Sequence, residues 1–405
     1  MKKAVIIGGG FAGCAMSHQL NLIGDWEVKI VESTSFLGAG VRTFHYGGHP
    51  YTFGPRHFLS PYKDVFEYLN KIIPLELHPN HEFLTYVEQD NEFYNYPINM
   101  TDVKNMHDYD SIDREMKEKK IKIQGAIQAN NLEEYWINSV GETLFNKFIK
   151  NYNKKMWLVD DCKNIDTFNW SPKGVALKEG LRAAWDTAIS GYPIAKNGYD
   201  DYFDIATKDS EVFYNSKVLE CDLENKQITL NNNKKLSYDI LVNTISPDFL
   251  LSQKFGELKF IGRDFHKIVL PVEEVFPKNV YFLYYANEEK FTRIVEYKKF
   301  TKHKSKSSLI GMEIPSFNNG KLYPLPFKKE QIRAQKYFDN MPNDVYCIGR
   351  AGSYYYGIDI DDCIRQAMII ADDLKNNRSQ VDVVPGKEYQ FPELKKIQKK
   401  DNFIS

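Results

Sequence analysis

The chain opens on four apolar residues, Ala4-Val5-Ile6-Ile7, that stop at Gly8-Gly9-Gly10 and give way to a helical pattern from Cys14 to Leu22. A short apolar run bounded by glycine suits a strand buried on both faces, as in a parallel sheet. It is too short for the apolar region of a secretion signal. A second strand reads over Glu27 to Val31. Residues from about 62 to 160 then read mainly as helices, with Tyr62 to Ile72 and Leu132 to Lys155 carrying apolar residues three to four apart. Glu211 to Asp248 alternates in strand fashion with a turn at Asn231-Asn232-Asn233, and Tyr238 to Pro247 holds a further buried strand. Strands of an antiparallel sheet read from Phe260 to Met312. A last strand, Val345 to Ile348, runs into Gly349-Arg350-Ala351-Gly352, and a helix follows from Cys363 to Leu374.

The first strand, turn and helix carry Gly8-Gly9-Gly10-Phe11-Ala12-Gly13, the G-x-G-x-x-G arrangement in its proper setting. Gly8 allows the tight turn, Gly10 lets backbone approach a pyrophosphate, and Gly13 lets helix and strand close up. The phosphates are expected on the helix N-terminus, by Phe11 and Ala12. Glu32, nineteen residues after Gly13 and followed by Ser33, stands where a carboxylate bonds the ribose hydroxyls of an adenosine. Gly38-Ala39-Gly40-Val41-Arg42 is a second glycine turn, and the strand, turn and helix near Gly349 return late to the same fold. An NAD domain closes earlier in the chain, so FAD is the expected cofactor. The fold class expected is α/β. A Rossmann-like FAD-binding domain is assembled from 1–62, 205–255 and 340–375, with a mainly helical lid domain inserted over 63–200 and an antiparallel β-sheet substrate domain over 256–339. Residues 376–405, polar and lysine-rich, read as a surface tail.

Composition narrows the class without adding chemistry. Fifty-three basic residues against 54 acidic ones leave a net charge of −1, which argues against a general nucleic-acid binder. Five cysteines without paired short spacing indicate a reducing cytoplasm, with neither a disulfide framework nor a metal site. No apolar run is long enough for a membrane span. Aromatic residues make up 14% of the chain, more than one ring-binding cleft needs.

In this order the pieces resemble the UDP-galactopyranose mutases, a family of FAD-dependent nucleotide-sugar mutases. The residues that carry the likeness are Gly8 to Gly13 with Glu32, Phe53-Gly54-Pro55-Arg56-His57-Phe58, Tyr96-Pro97-Ile98-Asn99, Leu144 to Trp157, Phe291 to Lys298, Tyr323-Pro324 and Gly349 to Tyr354; it covers roughly 1–375. The resemblance implies an isomerase that interconverts pyranose and furanose forms of a nucleotide-linked sugar for a surface polysaccharide such as a capsule. FAD acts in its reduced form through an adduct between N5 and the anomeric carbon while the nucleotide diphosphate leaves. It also implies Arg293 and Arg350 at the diphosphate, with Arg350 reaching the flavin as well. An ion pair between Arg293 and Glu296, three residues on, is the competing reading of that arginine. Tyr323 and Tyr356 would donate to the diphosphate, Tyr356 being the likeliest member of the Tyr354-Tyr355-Tyr356 run because they cannot all point one way. Asn99, Tyr152, Trp157 and Trp185 would line the base and sugar pocket, although the helix carrying Tyr152 could end before Trp157. Val218 would touch adenine; Gly40, Val41, Arg42, His57, Phe58, Gly349, Ile358, Asp359 and Ile360 would surround the rest of the cofactor. Arg182 is the nearest candidate for a lid arginine.

One departure stands out. The family usually has His directly after Gly-Pro, near flavin and sugar, and this chain has Arg56, with His57 either a displaced equivalent or a packing residue. The charge at that place argues against plain UDP-galactose as the substrate: an altered sugar, such as an N-acetylated hexose, a deoxy-sugar or a heptose, or another nucleotide, is expected. Homodimerisation is left open. Two alternatives also stand: another flavin oxidoreductase of the same fold, of amine oxidase or desaturase type, and a non-catalytic binding module like the GDP-dissociation inhibitors.

Overall fold

Five parallel strands form the nucleotide sheet, in the order Glu211–Phe213, Trp26–Val31, Lys2–Ile7, Ile240–Asn243 and Val345–Cys347. They are seen in a computed structural model that describes residues 1–118, 129–166 and 188–376. The opening apolar run is the central strand, and its alternation explains why all four residues are buried. Ala4 and Ile6 pack toward the helices Phe11–Ile23 and Ile360–Lys375, which lie against each other. Val5 and Ile7 pack the other way, with Ile228 and Leu236 of a three-stranded antiparallel ribbon and with Tyr337 and Phe338 of the helix Lys328–Asp339.

A second sheet has seven strands, in the order Tyr323–Pro324, Phe260–Leu270, Ser308–Ser316, Arg293–Glu296, Val280–Tyr285, Glu82–Val87 and Glu92–Tyr96. Its pairings are antiparallel except that between Val280–Tyr285 and Glu82–Val87. The helical expectation for 63–200 therefore needs correction at its start. Helices Lys63–Ile72, Tyr109–Glu118, Leu132–Val140 and Lys150–Trp157 are present, but Leu75–Leu77, Glu82–Val87, Glu92–Tyr96 and Ile189–Pro193 are strands. In Glu82–Val87 the residues Phe83, Thr85 and Val87 are buried and their neighbours are not, a period of two that only a strand satisfies. The sheet around Arg293 thus includes strands from outside 256–339.

The helical stretch that begins at Leu132 is interrupted at Gly141 (φ +88) and passes through a π-turn over Phe145–Ile149 before Lys150–Trp157. The π-turn delivers Lys147 into the interior. Its Nζ lies 2.7 Å from Asp90 and 2.8 Å from Asp108, and both the lysine and Asp90 side chains are buried. His107 adds a third ligand-type group beside the two carboxylates, and the one ammonium bridges both of them, offsetting half of their charge.

Removing the cation from such a cluster leaves an uncompensated buried carboxylate. Lys147→Met, which keeps the length of the side chain, is expected to lower unfolding free energy by roughly 3–5 kcal/mol in chemical denaturation.

Candidate functional site

The glycine turn after the first strand is built by close approach. Gly8 has φ +98, and a Cβ there would also meet Thr244 Oγ1 at 2.2 Å. A Cβ on Gly13 would come within 2.0 Å of the Gly8 carbonyl oxygen, so the helix can sit this near the strand only with glycine there. Gly10 differs: a Cβ on it meets nothing nearer than Ala39 Cβ at 3.7 Å. Gly10 caps Phe11–Ile23 without any side-chain bond, and no acid occupies the first turn. The first amides of that helix have no intrahelical acceptor and suit an anion.

Glu32 closes the turn from the second strand. Its Oε2 accepts the Gly9 amide at 2.8 Å, and its Oε1 accepts the Thr34 amide (2.7 Å), Thr34 Oγ1 (2.8 Å) and Ser33 Oγ (3.3 Å). Its backbone bonds Phe213 and Ser216, which brings Val218, at the start of the antiparallel ribbon, into the same neighbourhood. The second glycine turn docks on the first, Gly38 donating to the Gly9 carbonyl at 2.8 Å, and continues as a single turn over Ala39–Val41. Arg42 Nε stands 3.8 Å from Asp200. Phe11 stacks on Tyr202 with ring centres 4.8 Å apart, and Phe58 is fully buried, so both side chains pack. Gly349 (φ +72) faces Ala12 so closely that a Cβ on it would sit 2.8 Å from Ala12 Cβ. The turn from Gly349 to Asp359 therefore abuts the same helix start. Two docked glycine turns, an uncapped helix N-terminus and a buried acid at the ribose position fit a dinucleotide such as FAD.

The cleft beside it is lined by arginine and tyrosine. Arg293 makes a two-pronged ion pair, but with Glu313 rather than Glu296: Nε to Oε1 is 2.7 Å and Nη2 to Oε2 is 2.9 Å. Strand register sets Arg293 opposite Glu313. Glu296 accepts the amides of Val275 and Phe276 instead. Arg263, which sequence reasoning did not single out, reaches Glu313 at 4.0 Å and lies over the Tyr323 ring at 4.5 Å. Arg350 lies over Tyr323 and Tyr356 at 5.0 and 5.7 Å, donates Nε to the Ile358 carbonyl (2.9 Å) and pairs with Asp359 (2.7 Å). Asp359 also caps the helix that begins at Ile360. Burial alone would push the Tyr323 phenol up, but the guanidinium groups of Arg293, Arg56 and Arg263 outweigh it and hold the pKa below the ordinary tyrosine value. Burial raises Tyr356, its neighbour at 5.3 Å.

The three consecutive tyrosines point three ways. Tyr354, at φ +47, packs edge-on to Phe260 and donates to the Lys259 carbonyl; Tyr355 joins the core under the nucleotide sheet; Tyr356 faces Tyr323 and Trp157. The helix holding Tyr152 does not end before Trp157; it runs through it and stops at Leu158 (φ +51). Tyr152 meets Tyr284, and Trp157 meets the edge of Tyr356 at 5.0 Å. Arg56 and His57 divide. The Arg56 guanidinium lies 3.7 Å from where a Gly40 Cβ would be, while His57 stacks on Phe300 (5.8 Å) near His81 and Phe83. Asn99 uses its side-chain oxygen to cap Met100–Val103, accepting the Asp102 amide at 3.0 Å. Trp185 and Arg182 lie outside the described residues.

Fold and site together define a dinucleotide-binding protein with a cationic, tyrosine-lined cleft. The family model for UDP-galactopyranose mutase matches residues 147–356, just over half of the chain, and that for an NAD(P)-binding Rossmann-like domain matches 6–72. The chain belongs to the UDP-galactopyranose mutase family, whose members are nucleotide-sugar mutases and hence isomerases. It is 24% identical to a dTDP-fucopyranose mutase of Escherichia coli, over 93% of this chain and all of that one. It is 20% identical to a probable UDP-galactopyranose mutase of Klebsiella pneumoniae, over 95% of this chain and 97% of that one. A crystal structure of reduced UDP-galactopyranose mutase superposes with a TM-score of 0.77 at 17% identity, covering 96% of this chain and 99% of that one. A putative protoporphyrinogen oxidase from Exiguobacterium superposes at 0.70 with 14% identity, over 93% and 99%. Among the described residues no helix is long and apolar enough to cross a membrane.

Two measurements test this geometry. Gly10→Ala is expected to leave folding intact, because its methyl makes only an ordinary contact with Ala39, yet to weaken dinucleotide retention about tenfold or more; Gly13→Ala is expected to disrupt folding itself. Because folding depresses the Tyr323 pKa below the unfolded value of about 10, the folded state favours the phenolate and this tyrosine's contribution to stability is lost as pH falls through the folded pKa. Titration of near-ultraviolet phenolate absorbance is expected to show one tyrosine ionising early, and Tyr323→Phe to remove it.

Proposed function

We propose that the chain is an FAD-dependent mutase that interconverts the pyranose and furanose forms of a nucleotide-linked sugar. The observation that carries this reading is the gathering of Arg263, Arg293 and Arg350 around Tyr323 and Tyr356, next to the two glycine turns. A diphosphate that leaves the anomeric carbon gains negative charge, and fixed guanidinium groups in a water-poor cleft stabilise it without reorganising. Such a cationic cleft suits neither the positively charged amines of amine oxidases nor the apolar substrates of desaturases, although the fold is shared with oxidases.

The bound, reduced cofactor would supply a nucleophilic nitrogen to the anomeric carbon. The chain's own residues do the positioning. The amides at the start of Phe11–Ile23 and the Gly38–Val41 turn hold the cofactor's phosphates, and Glu32 holds its ribose. Tyr323 and Tyr356 donate to the substrate's diphosphate; Tyr152 and Trp157 floor the pocket for base and sugar. Glu313 fixes the direction of Arg293, so the clamp is set before substrate arrives.

The sugar is proposed to differ from galactose. A deoxy-sugar on dTDP is the first to test, since the relative named for dTDP-fucopyranose aligns at the higher identity of the two. The dithionite-reduced enzyme is incubated with UDP-, dTDP- and GDP-sugars, and furanose is separated from pyranose. Conversion of one or more nucleotide sugars by the reduced protein and none by the oxidised one is expected. If every pyranose is returned unchanged by a flavin-loaded, reduced sample, the reading fails.

A further inference from the structure

A half-buried guanidinium favours a counter-charge, and Arg56 has none among the described residues. Its Nε is enclosed and makes no hydrogen bond. Among the described residues no carboxylate pairs with it, and the nearby ones are engaged elsewhere. Glu313 is divided between Arg293 and Arg263, and Asp359 is taken by Arg350.

Its place in the fold is fixed from both sides. Two residues earlier, Gly54 (φ +83) brings the backbone so near the Arg293–Glu313 pair that a Cβ there would lie 3.1 Å from Glu313 Oε1 and 3.3 Å from Arg293 Nη2. On the other side the Arg56 Nη2 approaches the face of Gly40 in the second glycine turn. The guanidinium therefore sits where the cofactor cradle meets the arginine cluster. Four guanidinium groups (Arg56, Arg263, Arg293, Arg350) share two carboxylates (Glu313, Asp359), an excess of two positive charges. In a partly buried cluster such an excess favours a ligand that brings the opposite charge. A diphosphate diester carries one negative charge on each phosphate and matches it.

We infer that Arg56 is a substrate-binding residue whose guanidinium contacts the diphosphate of the nucleotide sugar. It supplies, together with Arg263, the positive charge that Arg293 gives up to Glu313. This rests on the nucleotide-sugar reading above, and it assigns the Arg56 charge to the phosphates rather than to the sugar. Two consequences follow from an uncompensated cation. Removing it weakens the anion complex, and removing it does not harm the ligand-free fold, since no carboxylate is left alone.

The experiment uses the flavin-loaded protein and three forms: wild type, Arg56→Gln and Arg56→Lys. Free UDP, dTDP and GDP are titrated calorimetrically into each, the melting temperature is measured without nucleotide, and the flavin midpoint potential is recorded. The expected result is an affinity for the preferred nucleoside diphosphate that falls about tenfold to a hundredfold in Arg56→Gln. Arg56→Lys recovers part of it, the melting temperature does not fall, and the potential is unchanged. An affinity indifferent to Arg56→Gln while wild type binds overturns this inference and leaves the mutase reading standing. A shifted potential with unchanged affinity overturns it in favour of a cofactor-facing charge. Failure of wild type to bind any of the three nucleotides sinks both readings.

Discussion

The cleft depends on one buried carboxylate. Glu313 receives the two-pronged grip of Arg293, so the direction of that guanidinium is set by a single side chain; it also stands 4.0 Å from Arg263, which donates to the Gly262 carbonyl and to Met156 Sδ. Buried ion pairs contribute little net stability unless their geometry is good and their lone pairs are filled, and here both conditions hold on the Arg293 side. What the pair provides is orientation. Arg293 cannot turn toward solvent without Glu313 losing both of its charge-assisted hydrogen bonds, and a side chain at Gly54 would crowd the pair. The loop holding Arg56, the Arg293–Glu296 strand and the Ser308–Ser316 strand are thus fixed to one another at a single contact.

The nucleotide half of the protein was legible because its signals are local. Strand, glycines, helix, strand and acid follow within thirty-two residues, and each does its work against a neighbour in sequence. Arg350 and Asp359, nine residues apart, also meet directly, a pairing seen only in the structure. The cleft was legible only in part, since its partners come from different strands. Arg293 and Glu313 are twenty residues apart and meet through antiparallel register, which no spacing rule foretells. A signal did exist: Glu313 is an acid within an otherwise apolar strand, and buried acids need partners. The 82–96 hairpin was misread because its apolar residues sit among polar ones and the helical neighbourhood suggested a longer period.

Adjacent residues with unlike fates mark the limit of reading by motif. Arg56 and His57 occupy one short segment, yet their side chains meet different surroundings. One goes to the charged cleft and the other to the aromatic packing of Phe300 and Phe83. A shared fold does not decide chemistry either. The superposition on a putative oxidase is nearly as full in coverage as that on a mutase, so the fold alone does not separate the two chemistries.

The three tyrosines after Gly352 fasten one short segment to three different parts of the protein. Tyr354 fastens the segment to Lys259 and Phe260 at the end of the second sheet, Tyr355 to the core beneath the first, and Tyr356 to the cleft between them. Chain length across this stretch is consequently as constrained as residue identity. Deleting one residue would rotate every ring into the place of its neighbour, and a relative one residue shorter here must do without one of the three fastenings.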